Sequence, residues 1–213
     1  IIKAVYGTLL AAIIFYEKLS KHLWAHCFVC NGYDMCTFNK MVNGNQLTVQ
    51  FHVDNLKVSH CDPEVLKEFV NQLCKEFCKE HELSKKVGNL HKYLGITIDY
   101  SIKGKVVFTM FDYLKDIIVE CPNDLKKATS IFPASNYLFK LNENSPRLDN
   151  EKSDLFHQIT ARLLFAAKRV RPNIQVCIAF LCTRVKDPYE DNYKKLGRVI
   201  KYVQETIHLP LVI

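Results

Sequence analysis

Glycine and proline are scarce in this 213-residue chain, with seven of each. That scarcity, beside 48% apolar residues, excludes a collagen-like or low-complexity chain and predicts a globular one. No internal repeat is present. The uncharged run Ala4–Tyr16 sits beside one lysine, has no small-residue cleavage site, and is too short to cross a bilayer. It is expected to be a buried helix, and no other segment is a membrane-spanning candidate. A disulfide framework is also lacking. The nine cysteines are an odd number without the paired spacing of a small secreted scaffold, which implies a reducing, intracellular compartment. No methionine precedes Met35, so the chain reads as an excerpt of a longer protein.

A zinc pattern is present only in part. Cys27 and Cys30 form a C-x-x-C, with His22 and His26 before it and Cys36 after, but the second pair at a defined distance is missing. Cys74 and Cys78 share one face of a helix. These thiols are read as small buried apolar residues, and Trp24, the single tryptophan, as core.

The charge balance is +7, from 29 basic and 22 acidic residues. Most of the excess lies in residues 160–205, where ten Lys/Arg meet four Asp/Glu. Such a face suits a polyanion such as a nucleic-acid backbone, and equally suits a solvated helix surface.

The pattern along the chain predicts strands and then helices, an α+β fold. A helix over Ala4–Leu23 leads to a loop at Asn31–Asp34. Thr37–Val42 and Gln46–Val53 read as strands about Asn43-Gly44, a strong hairpin signal. Asp62-Pro63 starts a helix whose apolar residues recur to Cys78. Tyr93–Tyr100 and Lys105–Met110 read as strands, and Tyr113–Glu120 as a short helix. Cys121–Lys152, with three prolines, reads as a linker. Asp154–Thr206 is helical with breaks near Arg171-Pro172 and Asp187-Pro188, and Leu209–Ile213 begins a strand.

The segment Val49–His60 (VQFHVDNLKVSH) is the most informative. Two apolar strands flank an Asp-Asn tip, and a carboxylate displayed there can bind a hard cation. Taken alone, it is also an ordinary surface turn.

This segment resembles the YVDD hairpin of reverse transcriptases, and its neighbours resemble copia-type retrotransposon enzymes over essentially the whole chain. Lys3-Ala4-Val5-Tyr6-Gly7 resembles K-A-L-Y-G beside the nucleotide pocket. Asn31–Cys36 with Asn39-Lys40 resembles the stretch leading into the hairpin. Tyr93-Leu94-Gly95-Ile96 resembles the Y-L-G-I strand near the primer terminus. Leu163-Leu164-Phe165 with Arg171-Pro172-Asn173-Ile174 resembles L-x-Y-L…R-P-D-I. Val199–Val203 resembles the V-x-R-Y-L helix before a ribonuclease H domain.

The resemblance implies a palm of antiparallel sheet backed by helices, followed by a helical thumb and connection. Residues 1–110 would be a partial palm, 111–152 a thumb-like helix and linker, and 153–213 the connecting helices. The implied activity is RNA-directed DNA polymerisation by two Mg²⁺ ions on an RNA template and DNA primer, with deoxynucleotides as substrates. Asp54 matches the first hairpin aspartate and a metal ligand. Asn55 stands at the second, degenerate position, and His52 where tyrosine is usual. Tyr6, Gly7 and His52 fall at the nucleotide pocket, although Gly7 also fits a helix-start glycine. Tyr93, Leu94 and Gly95 fall near the primer. Arg171, Arg184, Lys194, Lys195, Arg198 and Lys201 are candidates for backbone phosphates. The family's earlier aspartate would precede Ile1, the fingers and ribonuclease H regions are not represented, and TLLAAI at Thr8–Ile13 replaces the usual K-Q-A-P-R. The sequence thus predicts either an inactive portion of the enzyme, in a cytoplasmic particle or the nucleus, or a non-catalytic nucleic-acid-binding remnant or pseudogene product.

Overall fold

Thr8 starts the first helix, its hydroxyl accepting from the Ala11 amide at 3.3 Å, and α1 runs Leu9–Ala25. The computed structural model describes residues 7–78, 83–127, 132–142 and 144–213, in two compact units, 1–86 and 87–213. Both combine helices with antiparallel sheet, so the protein is α+β.

In the first unit, β1 (Val29–Cys30), β2 (Thr37–Val42), β3 (Asn45–His52) and β4 (Asn55–Ser59) pair in sequence order. Asn43 and Gly44, at φ 51° and 78°, make the tight turn expected of an Asn-Gly pair. Leu47, Val49 and Phe51 alternate inward along β3, because side chains in a strand have a period of two. Helix α2 (Pro63–Phe77) begins as the sequence predicts, with Asp62 accepting from the Glu64 amide at 2.9 Å and Pro63 at the first helical position. Leu19 and Leu23 of α1 and Phe69 and Leu73 of α2 cover the same sheet face.

Two expectations fail here. The apolar run is helical from Leu9 onward but is not buried. Leu9, Leu10, Ile13 and Ile14 are all exposed, because only the stripe through Leu19, Ser20 and Leu23 is buried. Trp24 is half-exposed on the rim, edge-on to Phe38, and is not core.

The second unit opens with β5 (Leu90–Tyr93), β6 (Ile96–Asp99) and β7 (Val107–Thr109). Its last strand is β8 (Leu211–Val212), from the far end of the chain, which pairs with β7. That long-range pairing ties residues 87–110 to the C-terminal helices. The compact units therefore part between Lys86 and Val87. Tyr93–Tyr100 is not one strand. Leu94 and Gly95, at φ 49° and 77°, form a two-residue turn between β5 and β6, which a Leu-Gly pair signals less clearly than Asn-Gly.

Helices α3 (Phe111–Glu120), α4 (Asn150–Arg169), α5 (Gln175–Cys182) and α6 (Glu190–Glu205) bury a continuous core that includes Leu114, Phe156, Leu163, Ile178, Leu196 and Ile200. Gly197 lets α6 approach the chain at Leu125 closely, since a Cβ there would lie 3.0 Å from the Leu125 carbonyl oxygen. Among the described residues no helix is long and apolar enough to cross a membrane.

Candidate functional site

The β3–β4 hairpin carries the sharpest sequence signal. His52 pairs with Asn55, leaving Val53-Asp54 as a two-residue loop with all four residues exposed. Val53 is held at φ 54°, a left-handed conformation that crowds a β-branched side chain. Asp54 therefore stands at the tip, and Asn55 Nδ2 lies 3.3 Å from its Oδ1. His52, Asp54 and Asn55 are thus brought together. Of the other nucleotide-pocket residues, Gly7 is exposed at φ 85° with open space around it, and Tyr6 lies outside the described residues.

The resemblance implies two Mg²⁺ ions at this tip. Mg²⁺ takes oxygen ligands, and a pair of ions needs converging carboxylates to offset their repulsion. The tip offers one carboxylate, with a neutral amide beside it. Among the described residues, no group of three or more His, Cys, Asp or Glu could hold a metal ion. These residues do not fit a two-ion centre. The same holds for zinc at Cys27, Cys30 and Cys36. All nine cysteines are free thiols; of the five expected to be buried, Cys27 is exposed and Cys30, Cys36, Cys74 and Cys78 are only partly covered, while the buried thiols are Cys121 and Cys177. Burial pushes the Cys121 thiol up to about 11.

The primer-proximal candidates Tyr93, Leu94 and Gly95 occupy the β5–β6 turn. Nearby, the Lys92 ammonium lies 2.6 Å from Asp112 and holds that carboxyl below its ordinary value.

The basic candidates divide by environment. Arg171 is 1% exposed and does not reach solvent phosphate. Its Nε donates to Asn173 at 3.1 Å, and its other nitrogens donate to the Thr206 carbonyl at 3.0 Å and hydroxyl at 2.6 Å. The guanidinium closes the end of α6 and is an internal clamp. Lys195 is also largely withdrawn, its side chain 10% exposed, with Asp191 at 2.7 Å and the Lys140 carbonyl at 2.6 Å. Lys201 pairs with Glu205 at 2.7 Å. Lys194 is exposed, and Lys194, Arg198 and Lys201 share one side of α6 by helical spacing. Arg184 is half-buried, with its Nε on Thr183 and its guanidinium 5.8 Å from the Phe180 ring. Arg162, in the same basic region, pairs with Glu120. The basic candidates are thus not one uniform outward face, since Arg171 is buried and Lys195 largely withdrawn.

Sequence reasoning missed the aromatic residues of the Cys121–Lys152 segment. Tyr137 and Phe139 are exposed on either side of buried Leu138. The alternation was visible, but a proline-bearing linker gave no reason to expect a fixed surface.

The family model described as "Reverse transcriptase (RNA-dependent DNA polymerase)" matches residues 1–132. A Saccharomyces cerevisiae protein named "Putative transposon Ty5-1 protein" is 22% identical over 201 residues, which are 94% of this chain and 63% of that protein. The chain thus spans under two thirds of the length of this curated relative. No solved structure matches significantly.

Proposed function

The chain belongs to the reverse transcriptase (RNA-dependent DNA polymerase) family, and from that premise we propose that it is a portion of a copia-type retrotransposon polymerase that engages nucleic acid and does not polymerise by itself. In this reading, residues 1–110 belong to the palm, 111–152 to the thumb and its linker, and 153–213 to the connecting helices. The partners are an RNA template and a DNA primer, met inside the cell.

The observation that carries the proposal is the Val53–Asn55 tip. The hairpin presents Asp54 at its tip, while the neighbouring position holds an amide bonded to that carboxylate. The Mg²⁺-dependent chemistry of an intact parent needs further carboxylates converging at this point. The net charge of +7 and the exposed Lys194, with Arg198 and Lys201 on the same side of α6, support retained binding to a phosphate backbone. A non-catalytic nucleic-acid-binding remnant is the second reading, and Asn55 favours it.

The test is primer extension on an RNA template with Mg²⁺ or Mn²⁺, run on this chain, on Asn55→Asp and on Asp54→Ala. All three are expected to stay at background, because one restored carboxylate does not complete the set. Losing preorganised charge stabilisation costs several kcal/mol, at tenfold in rate per 1.36 kcal/mol. Extension by the unmodified chain well above Asp54→Ala would overturn the inactive reading. Primer–template affinity, measured in parallel, should fall as salt rises and fall further when Lys194, Arg198 and Lys201 are reversed to Glu.

A further inference from the structure

Between Leu138 and α5 the second unit carries a cluster of aromatic rings and cations, largely beyond the residues that the family model matches. Leu138 is 5% exposed and anchors its segment in the core, while its neighbours Tyr137 and Phe139 are 63% and 66% exposed. Exposed aromatic residues grouped on one segment are candidates for an interaction surface. The segment is held in three ways. Phe139 meets Phe180 of α5 edge-on at 5.5 Å. Lys195 of α6 donates to the Lys140 carbonyl at 2.6 Å. Lys140 in turn places its ammonium 4.9 Å from the Tyr137 ring.

Two residues past Phe139, Leu141 lines an open cavity of about 370 Å³ together with Thr183, Arg184 and Lys186, and with Asp187 and Asp191 on its acidic side. The acids are already matched, Asp187 by Arg147 at 3.0 Å and Asp191 by Lys195 at 2.7 Å. Among the described residues Arg184 and Lys186 form no ion pair, and the Arg184 guanidinium lies 5.8 Å from the Phe180 ring that Phe139 meets.

We infer that Tyr137, Phe139, Arg184 and Lys186 form a binding platform for an unpaired stretch of nucleic acid, with bases stacking on the rings and phosphates held by the two cations. Every base has a π-face, so stacking of this kind tolerates any sequence, and the adjacent cations supply the backbone charge. A duplex hides its base faces and gains only the phosphate contacts. The inference rests on the nucleic-acid reading above but names a surface which that reading does not contain. Lys195 acts here as a positioning residue, because its ammonium fixes the Lys140 main chain and so the angle at which Phe139 is offered.

The experiment uses the whole chain and two probes: a single-stranded thymidine oligomer carrying 2-aminopurine, and a duplex of the same length. Stacking quenches 2-aminopurine, and anisotropy reports affinity. Phe139→Ala and Tyr137→Ala should weaken single-strand binding about fivefold or more and remove the quenching. They should leave duplex binding nearly unchanged. Phe139→Tyr should restore both signals, and Phe139→Leu should restore neither, although it keeps the bulk. Arg184→Gln should weaken both probes and reduce the salt dependence of the remainder. Circular dichroism checks that each variant folds. If the chain binds both probes with wild-type affinity in Phe139→Ala and Tyr137→Ala, the platform is refuted and the broader nucleic-acid reading stands. If the unmodified chain binds neither probe at low salt, both fail. Loss of a protein partner in those variants, with oligonucleotide binding intact, would reassign the surface to protein.

Discussion

Arg171 Nη1 donates to the Thr206 carbonyl at 3.0 Å, joining the turn after α4 to the end of α6. Nη2 donates to the Thr206 hydroxyl, and Asn173, itself bonded to Arg171 Nε, donates to the Tyr202 hydroxyl at 2.7 Å. The cation is buried where the carbonyls at the C-terminal end of a helix carry negative partial charge. Arg171→Ala should therefore lower stability by about 2–4 kcal/mol, through unpaired buried acceptors and a cavity. Arg171→Lys should recover only part, since one ammonium does not reproduce the planar fork. Lys194→Ala, on the exposed side of α6, should change stability by less than about 0.5 kcal/mol. Urea unfolding of the three variants checks this, and an Arg171→Ala midpoint equal to wild type would dismiss the clamp.

Val53 at φ 54° stores strain at the hairpin tip. A non-glycine residue held there costs about 1–3 kcal/mol, while glycine loses part of that gain in chain entropy. Val53→Gly should stabilise the protein by about 0.5–1 kcal/mol, read as a higher thermal midpoint. Val53→Pro should destabilise it strongly, because the ring forbids positive φ. A lower midpoint for Val53→Gly would mean that the exposed valine makes contacts outweighing its strain.

His22 lies on α1 with its ring 4.2 Å from His26 and 5.3 Å from Phe77. Burial, followed by the charge of His26, lowers its pKa from the ordinary 6.5, with Glu76 opposing. Its buried Nε2 has no hydrogen-bond partner, so a proton placed there would be unmet. Because the folded state binds that proton less readily than the unfolded chain, the stability His22 contributes is full above the unfolded pKa. It is lost as pH falls through 6.5 toward the lower folded value. Urea midpoints measured from about pH 7.5 to 5 should fall for the wild type, and less steeply for His22→Gln. Equal slopes would assign the acid sensitivity to another group. An NMR titration of the His22 ring gives its folded pKa directly.

The sequence by itself determined the local elements. Asn43-Gly44 has the backbone freedom that a tight hairpin turn needs, and Asp62-Pro63 the chemistry of a helix start. Period-two alternation along Leu47, Val49 and Phe51 placed the covered face of the sheet. It also determined which chemistry the hairpin tip can hold, since the identities of Asp54 and Asn55 are covalent facts. Sequence-adjacent signals decide these features, so they are legible without a fold.

Only the tertiary structure decided which charges face solvent and where the chain divides. Arg171 and Lys194 are both cations on helical segments, and nothing local distinguishes them. Packing at the end of α6 buries the first and leaves the second outside. The pairing of Phe108 with Leu211 joins residues about a hundred apart in sequence, so no window of the sequence could place residues 87–110 with the C-terminal helices. Phe139 edge-on to Phe180, 5.5 Å away, arises in the same way. Each lies in an unremarkable stretch, and the two rings meet where Leu138 is drawn into a core built from α3 to α6. Burial and long-range pairing depend on what the rest of the chain brings alongside, and that information is not carried by any residue's neighbours.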